Sequence, residues 1–183
     1  MPKVLVPLAQ GCEELEAVTI IDLLRRAGID VVSAGLDDRP VKASRGVVLL
    51  PDTTLDRALA QEFDMLVLPG GQPGTNNLKA DPRIVALLQK MAQAGKYTCA
   101  ICAAPAVLAA AGLLDGKQAT SFPGSLDNAS NVTLSTAPVV KDGRIITSRG
   151  PGTAMDFALE LIETLAGKAK RDEVEAGLQR SGN

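Results

Sequence analysis

The stretch Val4-Leu-Val-Pro-Leu8 is wholly apolar, as expected of a strand that is buried on both faces of a sheet. Residues 13–27 follow with apolar side chains at helical spacing, and Gly28 ends that helix. A second strand is predicted directly after the glycine, at 29–34. A strand, a helix and a strand in this order predict a parallel β-α-β unit, because two parallel strands need a crossover between them.

The same alternation continues along the chain. Further strands are predicted at 65–68 and 97–101, and helices at 55–60, 82–94 and 103–111. A last long helix is predicted to start after Thr153 and to run to about Leu165. An antiparallel pair is predicted around Val41 and 47–50, and a hairpin at 139–147 with Asp142-Gly143 as its turn. This pattern predicts an α/β fold of the flavodoxin-like, doubly wound type, with a mostly parallel sheet and helices on both faces. The charged segment from Lys168 onward predicts a surface helix and a frayed tail.

Length and composition exclude several classes of protein. With 183 residues and 46% hydrophobic content, the chain is expected to form a single domain, residues 1–183. The net charge of -2, without a basic run, argues against a nucleic-acid partner. No apolar run approaches the roughly 20 residues that cross a bilayer, so no membrane partner is expected. Cys12, Cys99 and Cys102 lack disulfide-framework spacing, which favours a reducing compartment and therefore the cytoplasm.

The sequence contains no histidine. Catalytic dyads and triads that depend on histidine, and metal sites built on it, are therefore excluded. The glycine-rich segment 68–74 lacks the G-x-G-x-x-G order of dinucleotide sites, and no Walker A sequence occurs. We expect neither a metal ion nor a cofactor.

The segment Ala100-Ile-Cys-Ala-Ala-Pro105 places a cysteine where a predicted strand passes into a predicted helix. Small residues on both sides let such a turn tighten, as the glycines do in a nucleophile elbow. Backbone N–H groups at the start of the helix would stabilise a thiolate and lower the pKa of Cys102. The alternative is a structural cysteine, since free cysteine is among the most buried residue types.

Three carboxylates, Glu13, Glu14 and Glu16, lie in the first turn of the first predicted helix. Acidic residues at a helix start complement its dipole, and this accounts for Glu13 and Glu14. Glu16 lies among apolar residues and is predicted to point inward. A buried carboxyl tends to stay protonated, so Glu16 could donate a hydrogen bond to a thiolate or act as a general acid.

Gly70 and Gly71 follow the strand predicted at 65–68, and their backbone N–H groups can approach a ligand closely, although an ordinary turn is the alternative. Like Glu16 and Cys102, they follow the carboxyl end of a predicted parallel strand, where open α/β sheets bind ligands. Cys99 falls inside its strand, so a dithiol pair with Cys102 is not expected. The sequence does not decide whether Cys12 is a resolving thiol or only fills space in the fold.

These segments together resemble the ThiJ/PfpI superfamily, in the branch that contains the Parkinson-disease protein deglycase and the bacterial YajL protein. The resemblance extends from Val4 to about Leu178. It rests on Gly11-Cys-Glu-Glu-Leu-Glu16, Leu23-Leu-Arg-Arg-Ala-Gly28, Ser44-Arg-Gly46, Val67-Leu-Pro-Gly-Gly71, Ala100-Ile-Cys-Ala-Ala-Pro105 and Thr147-Ser-Arg-Gly-Pro-Gly-Thr153.

The resemblance implies a flavodoxin-like homodimer in which Cys102 is the oxidation-sensitive nucleophile and Glu16 is a protonated carboxyl bonded to it. Gly70, Gly71 and Ala103 would supply backbone donors, with Arg45 as an anion contact. The implied activity is that of a glutathione-independent glyoxalase or protein deglycase, a hydrolase or lyase whose thiolate adds to a small reactive carbonyl or a glycated substrate.

The alternative function is a noncatalytic redox sensor, or a redox-regulated chaperone, that uses the same cysteine as a sulfinate. Some members of the superfamily carry a histidine before a proline, where this sequence has Phe122 before Pro123. The protease activity of other branches needs that histidine, so we do not expect a protease.

Overall fold

The computed structural model describes residues 1–181 of the chain. The strands are Lys3–Leu8 (β1), Asp30–Gly35 (β2), Val41–Lys42 (β3), Val48–Leu49 (β4), Thr53–Thr54 (β5), Met65–Leu68 (β6), Tyr97–Ile101 (β7), Gln118–Ala119 (β8), Thr133–Leu134 (β9), Val139–Asp142 (β10) and Ile145–Ser148 (β11). The helices are Glu14–Arg26 (α1), Leu55–Ala58 (α2), Gly74–Ala80 (α3), Pro82–Gln93 (α4), Pro105–Ala110 (α5), Ala154–Ala166 (α6) and Lys168–Gly177 (α7), and a 3-10 turn at Pro151–Thr153 precedes α6.

A central sheet has the strand order β10-β11-β7-β6-β1-β2-β5. Neighbouring strands are parallel except for β10 and β11, which form the predicted antiparallel hairpin. The chain therefore starts inside the sheet at β1 and winds outward in both directions. This topology confirms the predicted α/β class, with its mostly parallel sheet and surrounding helices.

Side chains on both faces of the sheet are buried. In β1, Val4 and Val6 belong to the apolar cluster that includes α1 and α6, whereas Leu5 belongs to the cluster that includes α2, α4 and α5. Since both faces are covered by helices, neither side of a central strand needs polar residues. This explains why β1 and β6 are continuous apolar runs in the sequence.

The sequence patterns missed α3 and the two-residue strands β5, β8 and β9. Helix α3 begins with glycine, threonine and asparagines, which have low helix propensity. Contacts with the loop after β1 support it, because Gly74 N–H donates to the Gly11 carbonyl and Asn77 Nδ2 donates to the Gln10 carbonyl. Strands of two residues are too short to produce a recognisable periodicity.

Helix α7 lies on the surface as predicted, with Val174 as its buried residue. The predicted frayed tail extends to residues 182 and 183, which lie outside the described residues. None of the helices in the described part of the chain is long and apolar enough to cross a membrane.

Candidate active site

Three loops meet at the carboxyl edge of the sheet, following β1, β6 and β7. Glu13 N–H of the first loop donates a hydrogen bond to the Gly70 carbonyl of the second (2.9 Å). A Cβ atom placed on Gly70 would lie only 2.7 Å from the Cβ of Cys102 in the third. The fold therefore brings together Glu16, Gly70, Gly71 and Cys102, which are far apart in the sequence.

Cys102 occupies a sharp turn immediately after β7. Its φ of 64° lies in the left-handed region, which non-glycine residues adopt rarely and at a cost. Two hydrogen bonds of its backbone hold this conformation: its N–H donates to the Ser148 carbonyl (3.0 Å), and its carbonyl accepts from Phe122 N–H (2.7 Å). Such a strained residue between a strand and a helix has the geometry of a nucleophile elbow.

Glycines allow the second loop to pass beside this cysteine. A Cβ on Gly70 would meet the Ile101 carbonyl oxygen at 2.7 Å and Glu16 Oε2 at 2.9 Å, as well as Cys102. Gly71 has a φ of 86°, and a Cβ there would lie 2.5 Å from the Glu13 nitrogen. The two glycines therefore have a steric function beside the one expected of their N–H groups.

Glu16 points inward from the first turn of α1 and is 0% exposed, as the sequence predicted. Its Oε2 accepts a hydrogen bond from Gly70 N–H (2.8 Å). Its Oε1 has no hydrogen-bond partner within residues 1–181, although the Cys102 thiol is close enough to influence the carboxyl. Burial raises the pKa of Glu16 to about 7, against the lowering effect of the Gly70 N–H and the Cys102 thiol.

The prediction that the pKa of the Cys102 thiol is lowered is wrong. Burial, followed by the charge of the Glu16 carboxylate, raises the pKa of Cys102 to about 12. The Gly71 and Ala103 N–H groups act in the opposite direction and lower this pKa. Helix α5 begins only at Pro105, so its first N–H groups lie beyond the cysteine. Because the charge of the Glu16 carboxylate is one of the causes that raise the pKa of Cys102, the protonation state of Glu16 influences that pKa.

The backbone N–H groups of the site act on two different side chains, the Cys102 thiol and the Glu16 carboxylate. Gly71 and Ala103 act on the sulfur of Cys102, whereas Gly70 N–H is used by the Glu16 carboxylate. Gly70 was expected to donate to a bound substrate. Its N–H instead orients the neighbouring carboxyl.

Glu14 does more than complement the dipole of α1. Glu14 is only 9% exposed, and its carboxylate accepts hydrogen bonds from Arg45 N–H (2.9 Å) and from the Ser44 hydroxyl (3.3 Å). Burial opposes ionisation of Glu14, but these donors and the N–H groups of Glu14 itself and Val47 outweigh it and lower its pKa. The carboxylate thereby connects α1 to the β3–β4 hairpin.

Arg45 is exposed and is linked to the site only indirectly, through its backbone and Glu14. In the described residues, its side chain forms no hydrogen bond or ion pair with Cys102 or Glu16. The suggested anion contact therefore remains a prediction.

The other two cysteines are buried. Cys12 is 1% exposed and Cys99 is 0% exposed, and burial raises the pKa of both thiols. All three cysteines are free, in agreement with the expectation that Cys99 and Cys102 do not form a pair. Cys12 packs tightly by its backbone, since a Cβ on Gly74 would lie 2.6 Å from its Cα.

Sequence reasoning noted the segments that contain Phe122 and Ser148 but gave neither of these residues a role in holding Cys102. Both act through backbone atoms on Cys102, which no side-chain pattern reveals. The one available signal was the segment 147–153, which follows a predicted strand and is rich in glycine and proline.

Comparisons with known proteins agree on one family. The sequence profile of the DJ-1/PfpI family matches residues 2–164. The chain is 49% identical to protein dj-1beta of Drosophila melanogaster over 179 residues, which is 95% of each chain. The crystal structure of that protein has a TM-score of 0.93, at 47% identity and 97% coverage of both chains.

Two further relatives bear on the site. The oxidized form of Toxoplasma gondii DJ-1 has a TM-score of 0.95 at 39% identity, covering 99% of this chain and 100% of that one. The glutathione-independent glyoxalase DJR-1.2 of Caenorhabditis elegans is 35% identical over 167 residues, which is 90% of this chain and 89% of the relative.

Proposed function

Because this chain belongs to the DJ-1/PfpI family, we propose that it is a glutathione-independent glyoxalase or protein deglycase with Cys102 as its nucleophile. The observation that carries this proposal is the unpartnered Oε1 of a buried glutamate beside a strained cysteine whose sulfur is influenced by two backbone N–H groups. The glyoxalase name of the Caenorhabditis elegans relative supports the reaction class.

The position of the proton decides whether the pair can act as a nucleophile. A buried pair of this kind holds one proton more readily than none, because burial opposes a second charge. Two N–H groups stabilise charge on the Cys102 sulfur, and only one reaches the Glu16 carboxylate. A proton on Oε1 of Glu16 would also satisfy that atom by donating to the thiolate. With Glu16 ionised, burial and the carboxylate charge raise the pKa of Cys102 to about 12, so a reactive thiolate requires that the proton move from the thiol to Glu16. We therefore propose the form with a thiolate beside a neutral carboxyl as the reactive one.

The chemistry follows from these two groups. The thiolate adds to the aldehyde carbon of methylglyoxal, and the carbonyl oxygen takes the Glu16 proton, which gives a hemithioacetal. Glu16 then removes the remaining C1 proton, and protonation at C2 yields a lactoyl thioester. Hydrolysis by one water molecule releases lactate and restores the protonated pair. The net reaction adds water to methylglyoxal and needs no oxidant.

The direct test is lactate formation from methylglyoxal by the purified protein without glutathione. Release of free amine from a glycated peptide would distinguish a deglycase from an enzyme restricted to free aldehydes. A protein that forms no lactate and releases no amine would refute the proposal.

The pH dependence of alkylation tests whether Cys102 and Glu16 share a proton. Since the pKa of Glu16 is raised to about 7, the pair should lose its first proton near neutral pH. In the proposed pair the remaining proton moves between the two groups, so a fraction of Cys102 is then thiolate. Iodoacetamide modification of Cys102 should therefore rise with a midpoint below the roughly 8.5 of a free thiol. In Glu16→Leu the midpoint should move above that value, because burial is then the main influence on the thiol. Equal midpoints in the two proteins would contradict proton sharing.

Redox sensing by the same thiol is a second candidate function, and the oxidized form of the Toxoplasma gondii relative favours it. The Gly71 and Ala103 N–H groups that influence the sulfur would also stabilise a sulfinate anion. Mild peroxide should then add two oxygen atoms to Cys102, with no oxidation of the more buried Cys12 and Cys99. Chaperone activity would appear as client protection that depends on this oxidation.

We also propose a homodimer formed through α1 and the β3–β4 hairpin. Large apolar side chains on these two elements are between 46% and 79% exposed: Leu15, Val18, Val47, Val48 and Leu50. The Glu14 hydrogen bonds join the two elements into one surface. An exposed apolar patch of this kind is typical of an interface, and two copies could cover it symmetrically.

Light scattering coupled to gel filtration tests this dimer. Val48→Asp places a charge in the patch and should convert a dimer to a monomer. Leu134→Asp introduces the same charge at a side chain that is similarly exposed, 55% against 59% for Val48, but lies outside the patch. It should leave the dimer intact. A monomeric wild-type protein would refute the proposal.

A further inference from the structure

A cavity of about 220 Å³ is lined in part by residues that are next in sequence to two backbone hydrogen-bond partners of Cys102. Ser121 and Pro123 line it from one segment and Arg149 from another. These residues are the direct neighbours of Phe122 and Ser148, whose backbones hold Cys102 in place. The same two segments therefore shape both the nucleophile and the cavity.

Arg149 brings a positive charge to this cavity. Several arginines of the protein pair with a carboxylate: Arg25, Arg26, Arg39, Arg83, Arg171 and Arg180. Arg149 forms no such pair within residues 1–181, and its Nη1 donates one hydrogen bond, to the Thr136 carbonyl (2.8 Å). A guanidinium has five N–H donors, so most of them remain available.

One acidic side chain, Asp127, lines the same cavity. It is not within ion-pair distance of Arg149, and it is exposed to solvent. Its charge opposes binding of an anion, but it forms no ion pair with the guanidinium of Arg149. Asp127 is therefore useful as a second probe of the same charge balance.

Phe122 supplies an apolar surface between Ser121 and Pro123 in sequence, two residues that line the cavity. Its side chain is 50% exposed although its backbone is bonded to Cys102. The ring lies against Gly150, where a Cβ would be 3.6 Å from Cδ2. An aromatic ring exposed in this way gains from contact with an apolar or aromatic group of a ligand.

We propose that Phe122 and Arg149 form a substrate subsite for carbonyl compounds that carry a carboxylate several bonds from the reactive carbon. This inference rests on the proposed carbonyl chemistry at Cys102. The apolar part of the substrate lies along Phe122, and its carboxylate accepts hydrogen bonds from the guanidinium, a geometry that arginine favours. Methylglyoxal has no such group, so the subsite confers a preference among larger substrates.

Two matched alkylating reagents test the subsite without any turnover. Phenacyl bromide and its 4-carboxy derivative each form a thioether with Cys102 and release bromide, and they differ only in the carboxylate. The rate of modification of Cys102 by each reagent is measured by mass spectrometry, and the ratio of the two rates is compared among variants.

Arg149→Gln should lower the ratio of carboxylated to neutral reagent about tenfold, the scale of a charge-assisted hydrogen bond. Arg149→Lys keeps the charge and should retain part of the preference, which guards against a folding defect in the glutamine variant. Asp127→Asn should raise the ratio. Arg144→Gln is the matched control, because Arg144 stacks on Tyr97 at the start of β11, away from the site.

An unchanged ratio in Arg149→Gln would overturn the subsite, and so would an equal fall in Arg144→Gln, which would indicate only net charge. Turnover of phenylglyoxal and 4-carboxyphenylglyoxal is measured separately. If neither is consumed but the alkylation ratio still depends on Arg149, the subsite stands and the proposed glyoxalase activity fails.

Discussion

Replacement of Cys102 by serine is expected to lower lactate formation from methylglyoxal about a thousandfold or more, because the variant loses its nucleophile. Serine fits the strained turn and keeps the backbone bonds to Ser148 and Phe122. Its hydroxyl, however, is far less acidic than a thiol and has no base beside it other than Glu16. The measurement is the steady-state rate of lactate release without glutathione.

Glu16→Gln should reduce the same rate about a hundredfold, within the range of lost general acid–base catalysis. The amide can still accept the Gly70 N–H bond, so the loss would reflect proton transfer and not collapse of the loop. Cys12→Ala, a change at another buried thiol, is the control and should retain most of the activity.

Continued turnover by Cys102→Ser would show that the cysteine is not the nucleophile. An inactive wild-type protein whose Cys102 is oxidised to the sulfinate by mild peroxide would favour the redox sensor instead. The two experiments together therefore separate catalysis from sensing.

Gly70→Ala should disrupt the site and cost about 1–3 kcal/mol of stability, the usual range for overpacking. The new methyl group would meet the Cys102 Cβ and the Ile101 carbonyl oxygen, both at 2.7 Å, and Glu16 Oε2 at 2.9 Å. The first two atoms are held by the backbone, and the Glu16 carboxylate is buried and bonded to Gly70 N–H, so none of the three moves aside cheaply. We expect a lower midpoint of urea unfolding and a loss of lactate formation of about a hundredfold, because displaced reacting groups lose their alignment.

Gly177→Ala is the matched control for this change. Gly177 lies at the end of α7, and a Cβ there would meet no atom within 4 Å. The control should keep both stability and activity. Equal behaviour of the two variants would contradict the crowding described around Gly70.

Much of the fold could be predicted because its signals are local. The apolar runs of β1 and β6, the helical spacing of α1 and the Asp142-Gly143 turn are each visible in a window of a few residues. Helix α3 was missed because tertiary hydrogen bonds from Gly74 and Asn77 stabilise a segment of low propensity. Local propensity gives no indication of such support.

The inward direction of Glu16 was predicted correctly, but two of the apolar neighbours behind that prediction, Leu15 and Val18, are exposed. The roles of Glu14 and Gly70 were not predicted. Glu14 looks like an ordinary acidic residue at a helix start, yet it anchors a hairpin 30 residues away. Gly70 N–H serves a carboxyl 54 residues away.

The sequence by itself determined the order of the longer strands and most of the helices, the cysteine at a strand end, the carboxyl in the first turn of α1 and the absence of imidazole chemistry. These are properties of residue identity and of short-range patterns. Only the tertiary structure decided which donors reach the sulfur of Cys102, and that burial together with Glu16 raises its pKa against the effect of those donors. The physical reason is that desolvation and charge act through space, between groups that the chain brings together only by folding.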